Sequence, residues 1–270
     1  MKELTTDELL RLQLEILHKV DVFCRERSIQ YTVFGGTAIG AVRHKGYIPW
    51  DDDIDIAMTR PNYDRFIHSF NGKVSNLEVI APELNWNYYA TYANVCDVRT
   101  ILDEGINGHL GMNIGVKIDV FPIDSVSSNI MDYHNDKKYF GVLWDLLYVK
   151  RINIALLMRS NKKAAVLAFL KRLRYSNRSY ESIQKEIRQY LTRYPFEETE
   201  YVDLKCFPWP TDSKCKREIF EDYEDIQFED LKVSIIKEYD EYLTKSYGDY
   251  MKLPPIEKRV PHHGFTAWWK

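Results

Sequence analysis

The chain has 270 residues, 45% hydrophobic and 29% charged, with a formal net charge of −3. That balance is typical of a globular protein with room for one large domain or a core plus a second lobe, and its acidic total argues against a general nucleic-acid binder. No apolar run reaches the roughly 18 residues that span a bilayer, and the opening MKELTTDELL is polar and acidic where an export signal is basic and then apolar; the expected location is the cytosol.

Thr5 and Glu8 have the spacing of a capping box. Leu9, Leu12, Ile16, Val20 and Phe23 then recur at helical spacing, which predicts a first helix packed on the core. Residues 29–34 (IQYTVF) are rich in β-formers and predict a strand running into Gly35, Gly36 and Thr37. A short helix over 38–44 and a turn over 45–49 follow. Residues 51–58 alternate as a strand does, with Asp51, Asp53 and Asp55 on one face and Ile54, Ile56 and Met58 on the other. Pro61 suits the first turn of a further helix. Residues 88–98 and 116–121 are the next strands, the second with Val116, Ile118 and Val120 facing one way and Lys117 and Asp119 the other.

From about Met131 the texture is helical. Residues 150–193 hold 12 Lys and Arg against only Glu181 and Glu186. This local +10 leaves about −13 for the remainder. Such a stretch is either a solvated basic face, or a surface for an anionic membrane or a phosphorylated lipid carrier. Residues 252–270 are rich in Pro, His and aromatics and are expected to lie ordered across the surface. Cys24, Cys96, Cys206 and Cys215 form no CxxC pair and are expected to be reduced thiols.

The acidic strand carries the chemistry. Asp53 and Asp55 on one face, with Asp51 beside them, repel one another unless a cation neutralises them. Magnesium takes oxygen ligands and is commonly held by one or two carboxylates plus substrate phosphates. Gly35 and Gly36 let backbone approach a phosphate, whose charge helix N-terminal amides favour, and Thr37 adds a hydroxyl. Arg43 and Lys45, between the two elements, are candidate phosphate ligands. Asp119, on the polar face of its strand, is the candidate third ligand or proton acceptor, with Asp124 as a fallback in a turn after Pro122. His44 is given no acid–base role.

Three segments resemble the LicD family of phosphocholine transferases: FGGTAIGAVRHKGYIPWDDDIDIAM at residues 34–58, KIDVFPID at 117–124 and KRVPHHGFTAWWK at 258–270. The resemblance spans nearly the whole chain, although residues 127–200 hold no matching motif. It implies an α/β (α+β) architecture with a nucleotidyltransferase-like mixed sheet. The catalytic core is then residues 1–126, and residues 127–270 form a mainly helical lobe whose tail returns to the core. It also implies magnesium-dependent transfer of phosphocholine from CDP-choline to a hydroxyl of a teichoic acid or lipopolysaccharide precursor, a glycan or lipid-linked glycan, with release of CMP. Asp53 and Asp55 match the family's metal-binding pair, and Asp119 its later acidic position. Animal relatives with a comparable acidic motif transfer ribitol phosphate, so an alditol phosphate donor is the alternative. A catalytically silent nucleotide- or glycan-binding subunit is a third reading, disfavoured by the intact acids.

Choline's quaternary ammonium is held best against aromatic faces. Trp50, adjoining the acids, is the first candidate, followed by Trp86, Tyr88, Tyr89, Trp268 and Trp269. His262 and His263 are candidates for the nucleotide side of the site.

Overall fold

In the computed structural model, which describes residues 1–103, 114–208, 213–260 and 266–270, a short strand β1 (Lys2–Glu3) leads into helix α1 (Thr6–Glu26). The helix starts on the expected capping box. The Glu8 amide donates to Thr5 Oγ1 at 3.2 Å and the Thr5 amide to Glu8 Oε2 at 2.9 Å. Leu9, Leu12, Ile16, Val20 and Phe23 form its buried stripe, the apolar face that a 3.6-residue period generates.

The chain then alternates short strands and helices: β2 (Thr32–Val33), α2 (Gly35–Arg43), β3 (Asp55–Thr59), α3 (Arg60–Ser69), β4 (Leu77–Ile80), β5 (Ala93–Asp97), β6 (Thr100–Asp103) and β7 (Lys117–Val126). Pro61 sits in the first turn of α3, as expected. The main sheet is mixed and runs β2-β3-β7-β5-β4. Strand β8 (Tyr201–Asp203) joins the far half of β7, and β9 (Cys215–Lys216) joins β8. Strands β3 and β7 are parallel, with Asp55 opposite Asp119. The antiparallel neighbour β5 brings Asn94 opposite Asp119 from the other side.

Four strand expectations need correction: residues 29–34 shorten to β2 and residues 88–98 to β5, and two others change more. The alternating segment 51–58 becomes a strand only from Asp55. Its neighbour β2 pairs with Ala57 and Ile56 alone before the chain turns into α2, so residues 51–54 lack a ladder partner on that side. Strand β7 does not end near Phe121 but continues through Pro122 to Val126. Pro122 lies between the last β5 pair, Ala93↔Val120, and the first β8 pair, Asp124↔Asp203. No antiparallel partner there requires the missing N–H. Asp124 is therefore in a strand rather than a turn.

Residues 130–191 form the helical lobe: α4 (Ile130–Arg151), α5 (Ile154–Ser160), α6 (Lys162–Arg174) and α7 (Tyr180–Leu191). Phe140, Leu143 and Leu147 of α4 pack with Ile183, Ile187 and Leu191 of α7 in a core of their own. Buried charge ties this lobe to the sheet. Arg188 of α7 reaches Asp64 at 2.9 Å and Glu83 at 3.2 Å; within the core, Arg60 of α3 grips Asp124 of β7 through two 2.7 Å bonds. Lys205 Nζ donates to the Tyr190 and Leu191 carbonyls at the end of α7 and to the Ser125 carbonyl of β7.

After the lobe the chain rejoins the core through the hairpin β10 (Tyr223–Phe228) and β11 (Leu231–Ile236), then α8 (Tyr239–Tyr247). Strands β8–β11 have no counterpart among the strands expected from sequence; β10, YEDIQF, carries too many exposed acids to show a period. The final strand β12 (Thr266–Trp269) lies between β1 and β6, so part of the tail is ordered as expected. All four cysteines are buried free thiols. No helix among the described residues is long and apolar enough to cross a membrane.

Candidate active site

Parallel pairing of β3 with β7 sets Asp55 beside Asp119 at the start of the β3 ladder, and the loop before β3 adds Asp51 and Asp53. All four carboxylates line one cavity of about 510 Å³. The expected set is thus brought together, though only Asp55 and Asp119 get there by strand geometry. Asp119 Oδ1 accepts from Lys117 Nζ at 2.7 Å and from Asn94 Nδ2 at 2.5 Å. Tyr88 and Tyr89 hydroxyls in turn donate to Asn94 Oδ1, which fixes the amide that orients Asp119. Burial, followed by repulsion from Asp53, Asp119 and Asp51, holds the Asp55 carboxyl well above the usual carboxylate range.

An all-carboxylate donor set with one strained member fits a hard divalent cation, because a cation relieves the repulsion and carboxylates are its preferred ligands. One oxygen each of Asp51, Asp52 and Asp53 also lies within 4.8 Å of the others. Asp52 does not line the cavity, and its carbonyl accepts from Gln13 Nε2 at 3.1 Å.

The glycine pair does not form a turn ahead of a helix, as expected, but is the first turn of α2 itself. Gly35 has φ +54°, which an L side chain resists. A Cβ at Gly36 would stand 2.4 Å from Asp51 Oδ2, and one at Gly35 3.0 Å from Asp55 Oδ2. Both carboxylates therefore rest against the positive end of α2, which partly offsets their charge. Gly36→Ala is expected to push the Asp51 carboxylate aside, lowering turnover about tenfold with little change in the urea midpoint; unchanged turnover would refute this close approach.

Thr37 is buried, and its Oγ1 accepts from the Asp55 amide at 2.9 Å. It sets the position of β3 and does not line the cavity. Arg43 and Lys45 also lie off the cavity. Arg43 is at the opposite end of α2, where Nη1 donates to the Tyr250 and Lys252 carbonyls. Lys45 is exposed, in a positive-φ turn, with its carbonyl accepting from the Glu229 amide. Asp124, the fallback ligand, is held by Arg60. His44 packs edge-on against Trp50. His262 and His263 lie outside the described residues.

Of the aromatic candidates, Trp50 alone lines the cavity. Tyr88 and Tyr89 are buried beneath Asn94, Trp86 sits under Lys185, and Trp268 and Trp269 belong to β12. Much of the remaining wall comes from aromatics that the sequence did not single out, Tyr92, Phe121, Phe207, Tyr242 and Tyr247, together with Phe34 at the start of α2. Phe121 was within reach, since it follows Asp119 by two positions on the same strand. Tyr242, Ser246 and Tyr247 arrive on α8, nearly 200 residues from β3, with no local signal. Burial, then Asp55 and Asp51, push the Tyr247 hydroxyl upward, so it stays protonated beside the acids.

The LicD/FKTN/FKRP nucleotidyltransferase-domain family matches residues 28–142, a span that includes all four cavity aspartates. The lipopolysaccharide cholinephosphotransferase LicD of Haemophilus influenzae is 32% identical over 269 residues, covering 97% of each chain. The chain belongs to the LicD family. This LicD-family protein is accordingly a phosphotransferase enzyme. Uncharacterized proteins of Rickettsia prowazekii and Rickettsia typhi share 52% identity with it over 33 residues, 12% of this chain.

Proposed function

We propose that the protein transfers phosphocholine from CDP-choline to a sugar hydroxyl of a lipopolysaccharide or teichoic acid precursor, with magnesium, releasing CMP. The observation that carries this reading is the single cavity in which four aspartates face an aromatic wall. The acids suit a cation and diphosphate; the wall suits a quaternary ammonium, which no hydrogen bond can hold. The similarity to the lipopolysaccharide cholinephosphotransferase of Haemophilus influenzae supports the same transferred group.

Asp53, Asp55 and Asp119, supported by Asp51, would hold the metal in this scheme. Bound magnesium supplies charge neutralisation and polarises phosphoryl oxygens. The chain does the positioning. Lys117 and Asn94 fix Asp119, the Thr37 hydroxyl fixes the backbone at Asp55, and the Gly35–Gly36 end of α2 leaves room for the acids. Trp50, Phe121, Tyr242 and Tyr247 exclude water and enclose the choline. The acceptor hydroxyl attacks the phosphorus bearing choline, the bond from that phosphorus to the CMP oxygen breaks, and a cavity carboxylate takes the hydroxyl proton.

Donor competition tests the reading. With magnesium and a glycan acceptor, CMP release is expected from CDP-choline at least tenfold faster than from CDP-glycerol or CDP-ribitol, the margin that a lost cation–aromatic contact of about 1.4 kcal/mol gives. Preference for either alditol donor would reassign the transferred group. No CMP from any donor would defeat the proposal.

A further inference from the structure

A surface helix normally turns its large apolar side chains inward. Helix α6 does the reverse. Ala165 and Ala168 face the protein and are buried, while Leu167 is 63% exposed and Leu170 and Leu173 are each 55% exposed. Projected at 100° per residue, Leu173, Val166, Leu170 and Leu167 occupy one outward arc. Lys163 and Arg174 emerge within that arc, one in each terminal turn.

The helix is nonetheless firmly seated. Arg172, on the inner side, donates to the Val149 and Ile152 carbonyls at 2.7 and 2.8 Å, closing the end of α4. Lys171 pairs with Asp145 at 2.9 Å. The outward leucines are thus held in place by contacts on the opposite face. Among the described residues nothing covers them.

Charge decides what fits. Residues 150–180 contain nine Lys and Arg and no acid, although the chain as a whole is acidic. Two copies meeting face to face would bring like charges together. An anionic bilayer matches both halves of the surface: the leucines enter the headgroup–acyl boundary, and Lys163 and Arg174 reach back to lipid phosphates. We infer that α6, with Leu156 and Met158 of the adjoining α5 also exposed, is a docking surface for anionic lipid. This goes beyond the transfer reaction and does not rest on it.

The test uses the full chain without substrates. Sedimentation with phosphatidylcholine vesicles containing phosphatidylglycerol is expected to pellet the protein, and phosphatidylcholine alone or high salt to leave it in solution. The double variant Leu167→Glu/Leu170→Glu changes only exposed positions and is expected to keep its circular dichroism and its CMP release with a soluble acceptor. Its vesicle binding should fall at least tenfold. Lys163→Glu/Arg174→Glu should weaken binding and reduce its salt dependence. The proposal is overturned by equal sedimentation with and without anionic vesicles, or by unchanged binding in the leucine variant. It is equally overturned if light scattering shows a dimer that the leucine variant dissolves, since the occupant is then a second copy. Loss of turnover with binding intact would count against the transferase reading alone.

Discussion

Asp55→Asn is expected to lower turnover by about three orders of magnitude while leaving a folded and more stable metal-free protein. The substitution keeps the shape of the side chain at the cavity floor and removes its charge. Asp53→Ala should lose activity to a similar degree. The stability effect has the opposite sign because the Asp55 carboxyl is held well above its ordinary range by burial and by Asp53, Asp119 and Asp51. A carboxyl whose folded-state proton affinity exceeds its unfolded one destabilises the fold at neutral pH. The penalty is absent below about pH 4, where both states are protonated, grows as pH rises above that, and levels off beyond the folded-state value. Asparagine removes it, so calorimetry in chelator at pH 7 should show a higher midpoint for Asp55→Asn than for the native chain. Magnesium should raise the native midpoint and leave the variant's unchanged. Native turnover in Asp55→Asn would remove the carboxylate cluster from the mechanism.

The largest stability effect is expected at Arg60. Arg60 is 6% exposed, and its guanidinium makes a two-pronged pair with Asp124, itself 1% exposed, with Glu83 at 3.3 Å on the other side. Arg60→Ala leaves Asp124 buried without its cation and Glu83 with Arg188 alone, and should cost about 3–5 kcal/mol, read as a shift of the urea midpoint with an unchanged slope. A loss under about 1 kcal/mol would show that water or Arg188 takes over the role. Asp124→Asn separates structure from chemistry at the fallback ligand. It should destabilise the protein, yet the folded fraction should turn over like the native chain, whereas Asp119→Asn should not.

Local sequence carried the parts of this site that depend on neighbours in the chain. The capping box at Thr5, the α1 stripe, the Pro61 start of α3 and the alternation around Asp119 are all set within a few residues. The cavity aspartates were legible as a set, but for a reason that was only half physical: Asp51 and Asp53 reach the cavity from a loop, because β2 is too short to extend the ladder. Arg43 and Lys45 show the converse. Residue type suggested phosphate binding, but α2 runs away from the acids for nine residues and carries Arg43 to its far end. The aromatic wall was the least legible feature. Tyr92, Phe207, Tyr242 and Tyr247 converge from β5's approach, the segment after β8, and α8, and only the long-range topology brings them together.

The pairing of Lys2 with Trp269 gives the molecule an almost circular chain path. Strands β1 and β12 lie side by side in one small sheet with β6, so a short peptide joining residue 270 to residue 1 would need to cross little distance. With residues 270 and 1 so joined, a break elsewhere on the surface, away from the β3–β7 ladder, would leave the same three-dimensional neighbours. Continuity matters instead between α2 and β3, where one uninterrupted stretch of backbone supplies the glycine turn, Trp50 and three of the four cavity acids.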